Sequence, residues 1–144
     1  MAGHPGGPQW DRLAASLADP ANHAGAAVRV IDTHTARVVL AGRRAWKMRR
    51  PVDYGWLDYA TPARRRTCAE AEVALNAPAA PGLYLGVGGI GPAGLLPPGS
   101  DLPEGAEPLV VMRRFPDADL FDRMAEDGRL DAGLIRQAGQ AVAA

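Results

Sequence analysis

DTHTARVVLAGRRAWKMRRPVDYGWLDYATPARRRTCAEAEVALN, residues 32–76, is the stretch on which the fold turns. Its first half alternates β-branched and apolar residues between tight turns. Residues 36–40 form one β-rich run and residues 44–50 a second, joined by Gly42-Arg43, and a third run at 27–31 precedes the turn Asp32-Thr33-His34-Thr35. Three short strands with short connections predict an antiparallel meander. Residues 51–60 read as a loop carrying Tyr54, Trp56 and Tyr59. Thr61-Pro62 then starts a helix, with Thr as N-cap and Pro at the first helical position. The helix is expected to run to about Asn76 and to stop before Pro78 and Pro81.

Within that stretch the charges have a geometry. Strand side chains alternate faces, so Ala45 and Lys47 share one face and Trp46 and Met48 the other. The bulky pair suits a core. On the opposite face a small residue stands two positions before a cation, so a flat ring can lie against Ala45 while the ammonium reaches a phosphate. An edge lysine that guards against aggregation gives the same pattern. On the helix, 100° per residue places Cys68, Ala71, Glu72 and Leu75 together, with Glu70 turned to solvent beside Arg66. A carboxylate on the apolar side needs a cation. Lys47 is one candidate; one of the many arginines is another.

Outward from this centre, residues 9–18 place Trp10, Leu13, Ala14 and Leu17 at helical spacing, and residues 1–8 read as a disordered Gly/Pro-rich tail. Downstream, residues 83–87 and 109–113 are expected as a fourth and fifth strand, with 88–108 a long Gly/Pro-rich loop. A short helix is expected over 119–125, closed by Gly128. Asp131 caps a last, Ala-rich helix with no stop signal at Ala144, so the chain reads as cut rather than finished.

Composition narrows the function. The chain has 144 residues, is 47% hydrophobic and carries no net charge, which fits one globular domain and argues against a general affinity for nucleic acid. One cysteine, Cys68, excludes an internal disulfide, and no apolar run reaches the roughly 18 residues of a membrane span. No membrane partner is expected, and a cytoplasmic location is the default. The sixteen basic residues are fifteen arginines and Lys47 alone. A lysine that survives such a bias points to a site wanting a compact charge rather than a planar fork. His4, His23 and His34 are scattered, so no metal site is read, and no serine sits in a nucleophile motif. A strand lysine paired with a helix glutamate is the arrangement that orients nucleotide phosphates in kinase-like folds.

The T-H turn, the strand ending K-M-R-R-P, the loop P-V-D-Y-G-W-L-D-Y, the helix end E-V-A-L-N, and the later LYLGV (83–87) and VMRRFPDADLFDRM (111–124) together resemble a bacterial family of aminoglycoside-phosphotransferase-like, kinase-fold proteins. Members often carry a gluconate-kinase-like P-loop ATPase domain downstream. The resemblance covers most of residues 27–144. It implies an α+β, protein-kinase-like N-lobe over residues 9–114, with a five-stranded antiparallel sheet and one packed helix. Residues 115–144 would form the hinge and the start of a C-lobe with short helices.

It also implies an ATP site with Mg2+. Lys47 would contact the phosphates, Glu72 would hold Lys47, and Thr33, His34 and Thr35 would cover the phosphates. Ala45 would face the ring, Met112 would back the adenine pocket, and the backbone of Arg113 to Phe115 would hydrogen-bond adenine. The partners implied are a nucleotide, the C-terminal lobe and the P-loop domain. The catalytic base and metal ligands would lie in that second lobe, so no catalytic or metal-binding residue is assigned here.

The sequence departs from the pattern in places. The turn is not G-x-G-x-x-G, the helix continues as NAPAAPG, and neither an H-x-D stretch after the hinge nor G-x-x-x-x-G-K-[ST] occurs. Two other readings stand beside this one. A pseudokinase-like interaction module would bind without turnover. Alternatively, Arg43, Arg44, Arg49, Arg50 and Arg64 to Arg66, with nearby aromatics as stacking platforms, would bind nucleic acid. The aromatic loop itself suits a base or a sugar, or packing over its own sheet.

Overall fold

The computed structural model describes residues 7–144. Residues 1–6 of the expected tail lie outside it, while Gly7 and Pro8 already belong to the first helix. The fold is α+β, built on one curled antiparallel sheet. Its strands are β1 (Val28–Asp32), β2 (Ala36–Ala41), β3 (Arg44–Arg49), β4 (Tyr84–Gly91), β5 (Gly94–Leu96) and β6 (Glu107–Arg113), in the spatial order β1-β2-β3-β6-β4-β5. The helices are α1 (Gly7–Leu17), α2 (Pro62–Asn76), α3 (Phe121–Glu126) and α4 (Ala132–Ala143).

The meander forms as expected. Ala41 pairs with Arg44 across a two-residue turn in which Gly42 takes φ 55°, a conformation that costs glycine little. Thr61 caps α2 by accepting from the Arg64 amide at 3.3 Å, and Asp131 caps α4 by accepting from Leu134 at 2.8 Å.

The strand count differs from expectation. The segment 88–108, expected as a loop, extends β4 to Gly91 and supplies β5, so the sheet has six strands rather than five. Its glycines mark close approach rather than flexibility. A Cβ on Gly88 would sit 2.5 Å from the Leu96 carbonyl oxygen, and one on Gly89 would sit 2.6 Å from Leu102. Only glycine lets the β4–β5 hairpin close there.

A second correction concerns the helices: two pack on the sheet, one on each face. α1 lays Trp10, Leu13, Ala14 and Leu17 onto Val39, Trp46, Met48, Ile90, Leu109 and Val111, all buried. Burying each large apolar side chain contributes roughly 1.5–3 kcal/mol. The Trp10 indole N–H also donates to the Arg49 carbonyl at 2.8 Å, fixing α1 to the end of β3. The face that carries Lys47 belongs to α2.

The face that α2 turns to the sheet is not the one expected. Arg65 and Ala69 are buried, Cys68, Glu72 and Val73 are half-buried, and Ala71 and Leu75 are exposed, Leu75 at 78%. The helix is therefore rotated, with Arg65 as its deepest side chain. Arg65 pairs with Glu107 at the start of β6, with Nη2 2.8 Å from Oε2, and donates from Nη1 to the carbonyls of Tyr59 and Ala60. The side chains are 2% and 4% exposed. Burial pushes the Glu107 carboxyl above the usual carboxylate range, against the opposing pull of Arg65.

Removing one partner of such a pair strands a buried charge, whereas an apolar pair of similar volume does not. Arg65→Met should therefore lower unfolding stability by about 3–5 kcal/mol, while Arg65→Met with Glu107→Leu should recover most of it; urea unfolding of the two variants checks this. A double variant no more stable than the single one would contradict it.

Candidate functional site: a carboxylate shared by two cations

The site grows from the outward alternation of β3. Residues 45, 47 and 49 share a face, and the register sets their neighbours: Ala45 opposite Leu40 and Met112, Lys47 opposite Val38 and Val110, and Arg49 opposite Ala36. Glu72 reaches this row from the middle of α2. Lys47 Nζ donates to Glu72 Oε1 at 3.2 Å and to Oε2 at 3.0 Å. Arg49 donates to the same Oε2, and its guanidinium lies 5.4 Å from the centre of the Tyr59 ring. Tyr84 on β4 donates its hydroxyl to Glu72 Oε1 at 3.5 Å. Burial, and then the Glu72 charge, hold that phenol above its ordinary range.

The expected pairing of Lys47 with Glu72 and the competing one with an arginine thus occur together. The side chains of Lys47, Glu72 and Arg49 are 31%, 14% and 8% exposed. Two cations face one carboxylate, and among the described residues no other carboxylate is within ion-pair distance of either. The group carries one net positive charge in a partly dry seam, and Lys47 is its solvent-facing member. Arg49 and Tyr84 were absent from the expected site. The alternation that places Lys47 beside Ala45 also places Arg49 on this face, but it does not say which cation the carboxylate takes.

The remaining expected residues are spread over the sheet and its two ends. Ala45 is buried, and Met112 beside it is half-buried. Of the hinge amides, Arg113 donates to Leu83 (2.8 Å) and Arg114 to Arg43 (2.9 Å), while Phe115 has no backbone partner among the described residues. Phe115 and Arg113 line an open concavity of about 540 Å³ with Gly42, Arg43 and Asp119. Lys47, Ala45 and Met112 do not line it.

Thr33, His34 and Thr35 sit at the far end of the β1–β2 hairpin, three residues beyond the level of Lys47, or roughly 10 Å at about 3.3 Å per residue. The turn is stiff. The Thr33 hydroxyl accepts from the Ala36 amide at 3.0 Å, Arg50 donates to the Thr33 carbonyl at 2.9 Å, and Asp32 is held by Arg37 and Arg50. The hydrogen bond and charge of Arg37, with Arg50, keep the Asp32 carboxyl below its usual range. The amides of His34 and Thr35 have no intramolecular acceptor among the described residues.

The arginines that suggested nucleic acid are divided between the fold and the surface. Arg65 is buried on Glu107 and Arg49 on Glu72, Arg50 pairs with Asp32, Arg64 and Arg66 form exposed pairs with Asp58 and Glu70, and Arg43 and Arg44 are exposed without an ion pair among the described residues. Among the described residues no group of three or more His, Cys, Asp or Glu side chains is arranged to hold a metal ion, and no helix is long and apolar enough to cross a membrane.

Comparison with known proteins extends this only a short way. No family model matches the chain, and no solved structure matches it. An uncharacterized protein of Mycobacterium tuberculosis (strain H37Rv) is 38% identical over 111 residues, 73% of this chain and 20% of its own length. An uncharacterized protein of Mycobacterium bovis is similar to the same extent. The chain spans about a fifth of the length of these curated relatives.

The charge count sets an asymmetry. Lys47→Ala leaves Glu72 neutralised by Arg49 and should cost under about 1 kcal/mol. Arg49→Met leaves Glu72 paired with the more exposed Lys47 and removes the Tyr59 contact, an intermediate loss of about 1–2 kcal/mol, whereas Glu72→Gln strands two cations and should cost most, about 3 kcal/mol. Urea unfolding of the three variants checks the order; equal losses for Lys47→Ala and Glu72→Gln would contradict it.

Proposed function

We propose that this chain is the nucleotide-holding lobe of a kinase-like phosphotransferase. The observation that carries this reading is the uncompensated positive charge of Lys47, Arg49 and Glu72, partly buried and open on the Lys47 side. Such a charge favours an anion, and a lysine supplies it as a compact point with donors free to rotate. Arg49 gives the arrangement a property a simple Lys–Glu pair lacks. When Lys47 turns towards a phosphate, Glu72 keeps a cation, so α2 stays anchored.

The surroundings fit the other parts of ATP. The apolar strip of Val38, Leu40, Ala45 and Met112 lies on the same face as Lys47 and suits a flat ring. The Phe115 amide is the hinge donor left for adenine, since those of Arg113 and Arg114 are used within the fold. The turn amides of His34 and Thr35 are available to phosphate oxygens.

Magnesium in such a reaction neutralises phosphate charge. Among the described residues no group of three or more His, Cys, Asp or Glu side chains is placed to hold it, and no residue here is assigned as the base for an acceptor hydroxyl. Those parts are assigned to a second lobe. Leu120, Phe121, Ile135 and Val142, all exposed on or beside α3 and α4, would provide surface for it to cover. The kinase-like lobe, its division at residue 114, ATP as the nucleotide, and a further P-loop domain all belong to this proposal. So does the absence of turnover by these residues alone. A non-catalytic, pseudokinase-like module would use the same nucleotide contacts and differ only in the parts outside the described residues.

Calorimetric titration with ATP tests the reading. Binding to the wild-type chain should weaken by about 10-fold or more in Lys47→Ala, the worth of one charge-assisted contact, and change less than about twofold in Arg66→Ala. Equal affinity of Lys47→Ala and wild type, or no binding of ATP or ADP at millimolar concentration, would overturn it.

A further inference from the structure

Trp56 is 81% exposed, although large aromatic side chains are usually drawn into the interior. Nothing about its loop is loose. The backbones of Asp53 and Asp58 pair as an isolated antiparallel β-bridge, the Tyr54 amide donates to the Leu57 carbonyl at 2.9 Å, and the Gly55 amide donates to Asp53 Oδ1 at 2.8 Å. Gly55 takes φ 80°, which glycine adopts readily, so the tip is a tight turn holding Trp56 outward. Tyr54 backs the indole at a centroid separation of 6.1 Å and an interplanar angle of 24°, and its hydroxyl donates to the His34 carbonyl at 3.3 Å. The loop is thereby tied to the β1–β2 turn. Between them lies an open concavity of about 750 Å³, within the range of small-molecule sites, lined by Thr33, His34, Thr35, Tyr54 and Trp56.

The lining selects a ligand class. None of the five residues is a carboxylate, a lysine or an arginine. Of the acidic residues beside it, Asp32 is paired with Arg37 and Arg50 and Asp58 with Arg64, while Asp53 has no ion-pair partner among the described residues and accepts from the Gly55 amide. No lining side chain is a carboxylate, ammonium or guanidinium that would select a charged ligand over a neutral one.

The two aromatic rings already stack on each other, so a planar base cannot be sandwiched between them; one aromatic face is offered, not a slot. Beside it the Thr35 hydroxyl and the His34 imidazole have no side-chain hydrogen bond among the described residues. One aromatic face with hydroxyl and imidazole at its edge complements a ring with an apolar C–H face and a polar rim. The π face carries partial negative charge and attracts the weakly positive C–H groups, while the rim hydroxyls pair with Thr35 and His34.

We propose that this concavity is a binding site for a neutral sugar ring, stacked on Trp56. The inference uses neither Lys47 nor Glu72 but shares the Thr33–Thr35 turn with the nucleotide reading; loss of ATP binding in Lys47→Ala would leave it standing, and loss of glycoside binding in Trp56→Ala would leave the nucleotide reading standing.

Intrinsic fluorescence tests it on the full 144-residue chain. Trp10 and Trp46 are 5% and 8% exposed, so the solvent-exposed part of the emission belongs to Trp56. Titration with the methyl pyranosides of glucose, galactose and mannose should give, for at least one of them, a saturable blue shift with a millimolar midpoint. Adenosine and glucosamine serve as the planar and the cationic comparisons. Thr35→Val should raise that midpoint about fivefold or more, the loss of one hydrogen bond. In Trp56→Ala, saturation-transfer NMR should detect no bound glycoside, with an unchanged urea midpoint showing that the fold is intact. The absence of a saturable shift with all three glycosides would overturn the proposal. So would tighter binding of adenosine or glucosamine, or glycoside binding that survives Trp56→Ala.

Discussion

One carboxylate with two claimants governs the sheet–helix seam of this protein. Glu72 is the acid that α2 brings to the outward row of β3, and it meets Lys47 and Arg49 at once. In water such a contact would be worth little, but at 8–31% exposure the charges are poorly screened and each must be matched locally. The count cannot close within the described residues, because two positive groups share one negative one. The surplus falls on Lys47, the most exposed of the three. The proposed affinity for phosphate follows from that inequality rather than from the mere presence of a lysine.

Lys47 holds its place because of its neighbours in sequence. Trp46 and Met48 are locked into the α1 face with Trp10, Leu13 and Leu17, so β3 has little freedom to twist or slip. A one-residue slip would send Trp46 to the Glu72 side and Lys47 into the core. On the α2 face, the buried Arg65–Glu107 pair sets the rotation and height of the helix and so decides that Glu72, four residues from Cys68, meets β3. Two unrelated kinds of interaction, apolar burial on one face and ion pairing on the other, fix the same four-residue segment.

Much of this was legible in the sequence. Period-two alternation in 36–50 gave the meander and the face shared by Ala45 and Lys47; Thr61-Pro62 and Asp131 gave helix starts that the capping bonds bear out. Three features were not legible, each for a physical reason. The β4–β5 hairpin has the composition of a loop because its glycines answer to a backbone approach that only tertiary pairing creates. The rotation of α2 does not follow its apolar residues: Arg65 is inward, satisfied by Glu107 and two carbonyls, and Leu75 is outward. Arg49 was grouped with solvent-facing arginines because composition says nothing of which arginine a carboxylate will choose. At the candidate site, Lys47, Glu72, Ala45 and Met112 come together on one face, while 33–35 and Phe115 lie at its two ends.

The single lysine permits a direct measurement. Selective 13C labelling of lysine gives one ε-carbon signal, that of Lys47. If Lys47 carries the surplus charge of the Glu72 cluster and receives phosphate, that signal moves on addition of ADP, saturates with the same midpoint as binding, and starts from a different position in Glu72→Gln. A signal that stays fixed at saturating ADP, or one indifferent to the loss of Glu72, would contradict the account.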